Sequence, residues 1–417
     1  MNKLQKYINQ QNFIYAAVLL ISFLLIFSRR PDAVLNPQFW AEDGKIWFEQ
    51  AYNNGVLSSL FTPEAGYFQT VSRLVAAFSQ IFPFEYAPAI FNFSAIFAKL
   101  SVVFFLFSHR LERLLPDLPA RLFAVFIYLA LPHSYETHAN LTNVQWHLAL
   151  LSCLIIIAVP TAKTGWKIFD YAVVIISALS GPFCLLLLSI AAIKYWFERD
   201  KQTLSLLIIL SGGCLIQGIS LMINERPTRA LLGASVKLFL KIVGGHWFVV
   251  SLIGEKGLAW TLNKPFWKDG ISVIINLAGF SLLIYAFLKS KFELRLLLIF
   301  STLIIITALI YPAAAGDVPQ WTVMQLAPVG SRYWLIPIFS LFIAVFWLAR
   351  NSPHKAMRYL SIFLLLISSV GIFSDWKYQP YTDFEFQKHA AKFDNAASGE
   401  EVIIPINPNW EMRPVKK

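Results

Sequence analysis

The stretch Phe13-Ile-Tyr-Ala-Ala-Val-Leu-Leu-Ile-Ser-Phe-Leu-Leu-Ile-Phe27 carries no charge, is preceded by Lys3 and Lys6, and runs into Arg29-Arg30-Pro31. A run of this kind reads as a membrane span, for which about 20 apolar residues suffice and fewer do when neighbours bury the helix. It has no small-residue cleavage site, so it reads as a retained helix and not a removed signal. The leading lysines favour a cytoplasmic N-terminus, while Arg29 and Arg30 argue weakly the other way. The 29–87 segment is then an outer loop, and it opens on Pro37-Gln-Phe-Trp-Ala-Glu-Asp-Gly44.

Composition extends that reading to the whole chain. Of 417 residues, 57% are hydrophobic and 14% charged, against about 25% charged in soluble domains. The formal charge of +11 is the topology signal of cytoplasmic loops and gives no reason to expect nucleic acid. Cys153, Cys184 and Cys214 sit inside apolar runs without CxxC spacing, which excludes a disulfide framework or zinc site and leaves small core residues.

Further spans are expected at about 89–108, 122–131, 148–159, 204–223, 271–288, 296–311, 333–348 and 362–373. Basic loops at Arg110–Arg121, Lys289–Arg295 and Arg350–Arg358 mark one face. The 171–193 segment is apolar but broken at Ser180-Gly181-Pro182 and flanked by Lys and Arg on both sides. That pattern fits a re-entrant hairpin; a kinked full span is the alternative. Nine spans with a hairpin and eleven spans leave the two chain ends on the same sides. The 224–269 segment mixes apolar stretches with Arg226, Arg229, Lys237, Lys241, His246, Lys256, Lys264 and Lys268. The expected fold is an all-α polytopic membrane protein: a 1–373 transmembrane domain, including the 29–87 loop with surface-lying amphipathic helices, and a 374–417 outer tail.

With this topology, polar side chains gather on the outer face. Glu42 and Asp43 stand after the aromatic pair Phe39-Trp40 and before Gly44. An acidic pair also suits an ordinary helix start, but held against the membrane surface one carboxylate can be tuned as a general base, Asp43 by preference over Glu42. The second loop, His133 to His147, holds Glu136, His138, Asn143 and Trp146. It offers sugar contacts or a divalent-metal site, though its spacing matches no metal motif. Trp40 and Tyr67 add aromatic faces from the first loop, and Asp317 and Tyr333 come from a third outer piece around Gly330-Ser-Arg-Tyr333. Arg332, with Arg73 and His246 as partners, is placed to hold a phosphate through charge-assisted bonds. An interfacial Arg, Tyr and Trp belt is the plainer reading of the same residues. Lys99 falls inside a span, either as a functional group or as a lysine reaching polar surroundings.

Taken in order, Ala41-Glu-Asp-Gly44, Asn143-Val-Gln-Trp146, Ser180-Gly-Pro-Phe183, Gly330-Ser-Arg-Tyr333 and the outer tail resemble the GT-C class of membrane glycosyltransferases. More narrowly, the chain is similar to the phage-encoded O-antigen glucosyltransferases that convert serotype in enteric bacteria. The resemblance implies a bundle with a re-entrant segment in a bacterial inner membrane, its active site facing the periplasm. It further implies transfer of glucose from undecaprenyl-phosphate-glucose to a sugar of lipid-linked O-antigen, with Glu42 or Asp43 as base. A monophosphate leaving group makes a metal optional. Rival expectations are an O-antigen polymerase or ligase, and a lipid-linked sugar flippase, against which the scarcity of acids in the spans speaks.

Overall fold

The computed structural model describes residues 3–224, 230–262, 267, 270–314 and 317–417. Arg226, Arg229, Lys264, Lys268 and Gly316 fall outside them. Eight described helices are long and apolar enough to cross a membrane: Gln11–Arg29, Phe84–Phe107, Lys201–Ile223, Val236–Leu262, Ile271–Lys289, Phe292–Ile310, Ser331–Asn351 and Lys355–Ser374. The protein is an all-α, multi-pass membrane protein. Two shorter apolar helices, Leu118–Ala130 and Val144–Ile157, lie inside the bundle, and nearly every residue of the second is buried. Neighbouring helices enclose Val144–Ile157, while Leu118–Ala130 keeps Leu122 and Phe126 exposed on one side.

Helix Val236–Leu262 lies in the segment whose basic residues interrupt any clean hydropathy signal. It contains a π-turn, Gly244–Val249, and breaks at Gly254, which adopts φ +75°. A Cβ there would stand 2.8 Å from the Asp375 carboxylate and 2.9 Å from the Gly371 carbonyl, so only glycine lets the backbones meet.

Thr164–Ala178 and Phe183–Glu198 form a helical hairpin whose turn contains Gly181 at φ +110°. The tip is stitched to the first loop: Gly181 N donates to the Phe68 carbonyl at 2.9 Å, and Thr70 N to the Leu179 carbonyl at 3.1 Å. Gln217 closes the joint by donating to the Phe68 carbonyl at 3.1 Å and accepting from Phe68 N at 2.8 Å. The other end is held by buried charges. Arg110 donates to both oxygens of Asp170, at 3.2 and 2.8 Å, and Gln202 donates to the same carboxylate at 2.5 Å. A buried pair survives when its remaining lone pairs are used in this way.

On the face carrying the first loop, that loop and the C-terminal tail share one core. Phe39 packs edge-on against Phe91 and Phe386, and Phe84 against Phe386 and Phe393, at centroid distances of 5.0–5.4 Å. The tail adds Phe386–Asp394 and the two-stranded antiparallel pair Ile404–Ile406 and Trp410–Met412, the exception to the all-helical plan. Asn407 N donates to the Phe39 carbonyl, and Ala41 N donates to the Asn407 carbonyl at 2.5 Å. The first loop also contributes the helix Thr70–Ser79, while Trp47 and Phe48, expected to lie on the bilayer surface, are buried in this core.

Cap and bundle are joined by Arg29, which is 1% exposed. Its guanidinium donates to the carbonyls of Leu129 (2.6 Å), Leu131 (3.0 Å), Asp375 (3.0 Å) and Trp376 (3.1 Å) and lies over the Tyr378 ring at 4.4 Å. Replacing Arg29 by Ala strands four carbonyls, at about 1–3 kcal/mol for each that stays dry. Arg29→Ala should therefore lose at least about 3 kcal/mol, read as a lower unfolding temperature in detergent. Arg29→Lys should fall between the two, since three donors on one nitrogen cannot span the set.

Candidate active site

The segment 40–44 turns sharply at Ala41, which holds φ 47° although it is not glycine. It then enters a six-residue π-turn, Asp43–Phe48. Strained single residues and π-turns gather at functional sites because the surroundings must enforce them. Gly44 is required by packing: a Cβ would come within 2.9 Å of Ile406 and 3.1 Å of Phe39.

The two carboxylates of this turn have different fates. Asp43 is fully buried, its Oδ2 accepting from Leu141 N at 2.9 Å and its Oδ1 from the Thr142 hydroxyl at 2.8 Å. Burial pushes its pKa up to about 7, against the pull of those donors. Asp43 thus latches the first loop onto the second. Glu42 is only partly buried, and burial raises its pKa too, while the nearby Arg332 guanidinium draws it back and Glu136 opposes that.

Near Glu42, Glu136 and Arg332 form an ion pair. Arg332 Nη1 pairs with Glu136 Oε1, while Arg332 N (3.0 Å) and the Ser331 hydroxyl (3.2 Å) donate to Oε2. Gly330, at φ +69°, delivers both donors to one carboxylate. A second guanidinium nitrogen donates to the Ala313 carbonyl at 2.6 Å. Asn143 steadies the pair by donating to the Glu136 carbonyl at 2.9 Å. Trp146 is buried between Phe183 and Tyr333, at 4.7 and 5.5 Å, so it supports Tyr333 and offers no face to a sugar. The Tyr333 hydroxyl accepts from Ala313 N at 2.9 Å.

Beside this lies a cleft of about 310 Å³ between the first loop, the second loop and the tail. Trp40, Tyr135, Tyr378 and Tyr381 wall it, and Arg30, His133, Glu255 and Asp375 are among its polar residues. Tyr381 connects cleft and carboxylates, since the Asp43 charge acts on its hydroxyl and Arg30 covers its ring at 4.3 Å.

The structure therefore brings Glu42, Asp43, Glu136, Arg332 and Tyr333 together, with Asn143 and Trp146 behind them and Trp40 on the cleft. The remaining residues expected from sequence lie apart. Arg73 is buried in the first loop under Trp47, donating to the Thr62 carbonyl at 3.1 Å. His246 is buried, stacked on Trp334 and bonded to His133 at 3.0 Å. His138 is buried against Lys99 and the Ile26 carbonyl, at 3.4 and 3.2 Å, and burial holds its pKa well below the ordinary imidazole value. Tyr67 belongs to the turn that pairs with Glu64, and Asp317 is exposed on the surface. Among the described residues no group of three His, Cys, Asp or Glu side chains is placed to hold a metal ion, so no step is assigned to one.

Sequence reasoning did not single out Glu255, Arg30 or Asp375's buried role. The signal for Glu255 was present: Gly254-Glu255-Lys256 interrupts an apolar run where nothing else requires a break. No known family model matches the chain, and no curated protein is significantly similar to it.

Because the folded pKa of Asp43 is raised, its protonated form stabilises the fold at low pH. That contribution fades as pH climbs from about 4 towards about 7 and is flat beyond. Asp43→Asn keeps an acceptor for Leu141 N without the ionisation. Between pH 5 and pH 8 the wild type should lose more unfolding temperature than the variant, measured in the same detergent.

Proposed function

We propose that the protein is a GT-C-type glycosyltransferase of the bacterial inner membrane, working on the periplasmic face. It takes glucose from undecaprenyl-phosphate-glucose and transfers it to a sugar of lipid-linked O-antigen. In this reading nine helices cross the bilayer: Leu118–Ala130, Val144–Ile157 and seven of the eight long ones, while Val236–Leu262, broken at Gly254, does not span it. The 164–198 hairpin enters and leaves from the cytoplasmic side, where Lys163, Arg199 and Lys201 flank it. The loop face is then periplasmic.

The observation that carries the reading is a partly exposed carboxylate, Glu42, close enough to feel the charge of Arg332, a guanidinium that Glu136 holds in an ion pair. A glycosyl transfer with a lipid-phosphate leaving group needs these two charges on one side of the membrane. The acceptor hydroxyl gives its proton to Glu42 while its oxygen bonds to the anomeric carbon. The bond from that carbon to the phosphate oxygen breaks, and the departing phosphate keeps the electron pair. Arg332 stabilises that charge as it develops, and Glu136 fixes the guanidinium's orientation beforehand. Asp43 holds the loop in register and does not itself reach the acceptor, since both its oxygens are taken.

Expression in a host with defined O-antigen and a supply of undecaprenyl-phosphate-glucose, with product linkages read by NMR, tests this. Glu42→Gln should lower glucosylation by about 10²-fold or more, the usual weight of a general base. Arg332→Ala should lower it comparably, by removing a preorganised charge. Wild-type glucosylation by Glu42→Gln, at normal protein levels, would end the proposal.

A further inference from the structure

The floor of the 310 Å³ cleft is built from groups that the transfer step above does not use. His133 adopts φ 55° and sits between three partners. Its backbone N donates to Asp375 Oδ2 at 3.0 Å, its Nδ1 bonds Glu255 Oε2 at 2.8 Å, and its Nε2 meets His246 Nδ1 at 3.0 Å. Glu255 N donates to the same Asp375 oxygen at 2.7 Å. The break at Gly254 makes this donation available, because a continuing helix would spend that N–H on its own carbonyl. Asp375 therefore clamps two backbones, and Glu255 is left with one oxygen tied to His133 and a side chain still 24% exposed.

The walls complement that floor. Trp40 stacks on Tyr381 at 5.1 Å, and Arg30 covers the far side of the stack. The rings of Trp40, Tyr135 and Tyr378 remain partly exposed. Arg30 lines the cleft and is 4% exposed; its Nε has no hydrogen-bond partner, and neither do the Tyr381 hydroxyl and His246 Nε2. A fixed acceptor and partly exposed rings suit a pyranose, which carries hydroxyls on its rim and C–H groups on its face. The volume lies at the small end of ligand sites, roughly 300–1,000 Å³.

We propose that this cleft is a saccharide-binding site, in which Glu255, oriented by His133, accepts hydrogen bonds from sugar hydroxyls and Trp40 packs on the ring. The inference rests on the transferase reading for its role, where it supplies the acceptor side, but sugar binding is measured without turnover and so stands or falls separately.

The test is saturation-transfer difference NMR on the intact protein in detergent, with methyl glucoside, methyl rhamnoside and methyl N-acetylglucosaminide as probes. The expected result is transfer to the ring protons of at least one glycoside, reduced at least fivefold in Glu255→Gln and in Trp40→Ala. Glu255→Gln preserves shape, and unfolding temperatures establish that both variants are folded. A Glu42→Gln protein should bind the probe like wild type, separating binding from catalysis. No transfer to any glycoside, or equal transfer in wild type and both variants, would overturn the proposal.

Discussion

One buried guanidinium fixes the geometry of the loop face. Arg29 spends four of its donors on carbonyls at the ends of the Leu118–Ala130 and Lys355–Ser374 helices, and its own carbonyl accepts from Tyr378 N at 3.0 Å. Helix C-termini carry unsatisfied carbonyls and partial negative charge, so a cation there answers both needs at once. The consequence reaches further because of one residue. Asp375 gives its carbonyl to Arg29 and its carboxylate to the backbones of His133 and Glu255. The placement of the cleft floor thus follows from where three helices end.

The sequence reading captured what hydropathy encodes. Expected spans at 89–108, 204–223, 271–288 and 296–311 lie within a few residues of helices Ala87–Phe107, Lys201–Ile223, Ile271–Lys289 and Phe292–Ile310. The hairpin turn at Ser180–Pro182 was legible because Gly and Pro leave few other options. Helix Val236–Leu262 was not, since Lys237, Lys241, His246 and Lys256 dilute its apolar period. Arg29 and Arg30 were misleading for a different reason. An arginine at a span end looks the same in sequence whether it faces phospholipid headgroups or four buried carbonyls, and only tertiary packing separates the two.

The candidate site was legible as residue types and not as roles. Glu42 and Asp43 are neighbours in sequence with nearly the same chemistry, yet the turn at Ala41 sends one into the protein and leaves the other at its surface. Burial cannot be read from an acidic pair, because it depends on what arrives from elsewhere. Here that is Leu141 and Thr142, about a hundred residues on, and they take Asp43. The same holds for Glu136 and Asn143, which read as sugar ligands and turn out to be occupied with Arg332 and with each other's loop.

Assembly order gives the architecture a further logic. Membrane helices form individually, but the cleft joins Trp40 from the first loop to Tyr378, Tyr381 and Asn407 from the tail, with the whole bundle between them in sequence. The Phe39–Phe386 contact and the Trp40–Asn407 bridge cannot form before the tail has been made. The core they build sits on the first turns of the Phe84–Phe107 helix, and burying aromatic rings away from water provides a driving force that lipid-facing helices lack. The cleft is complete only once the last segment has docked. Until then the turn that carries Glu42 lacks its backbone bonds to Asn407 and its contact with Ile406 at Gly44.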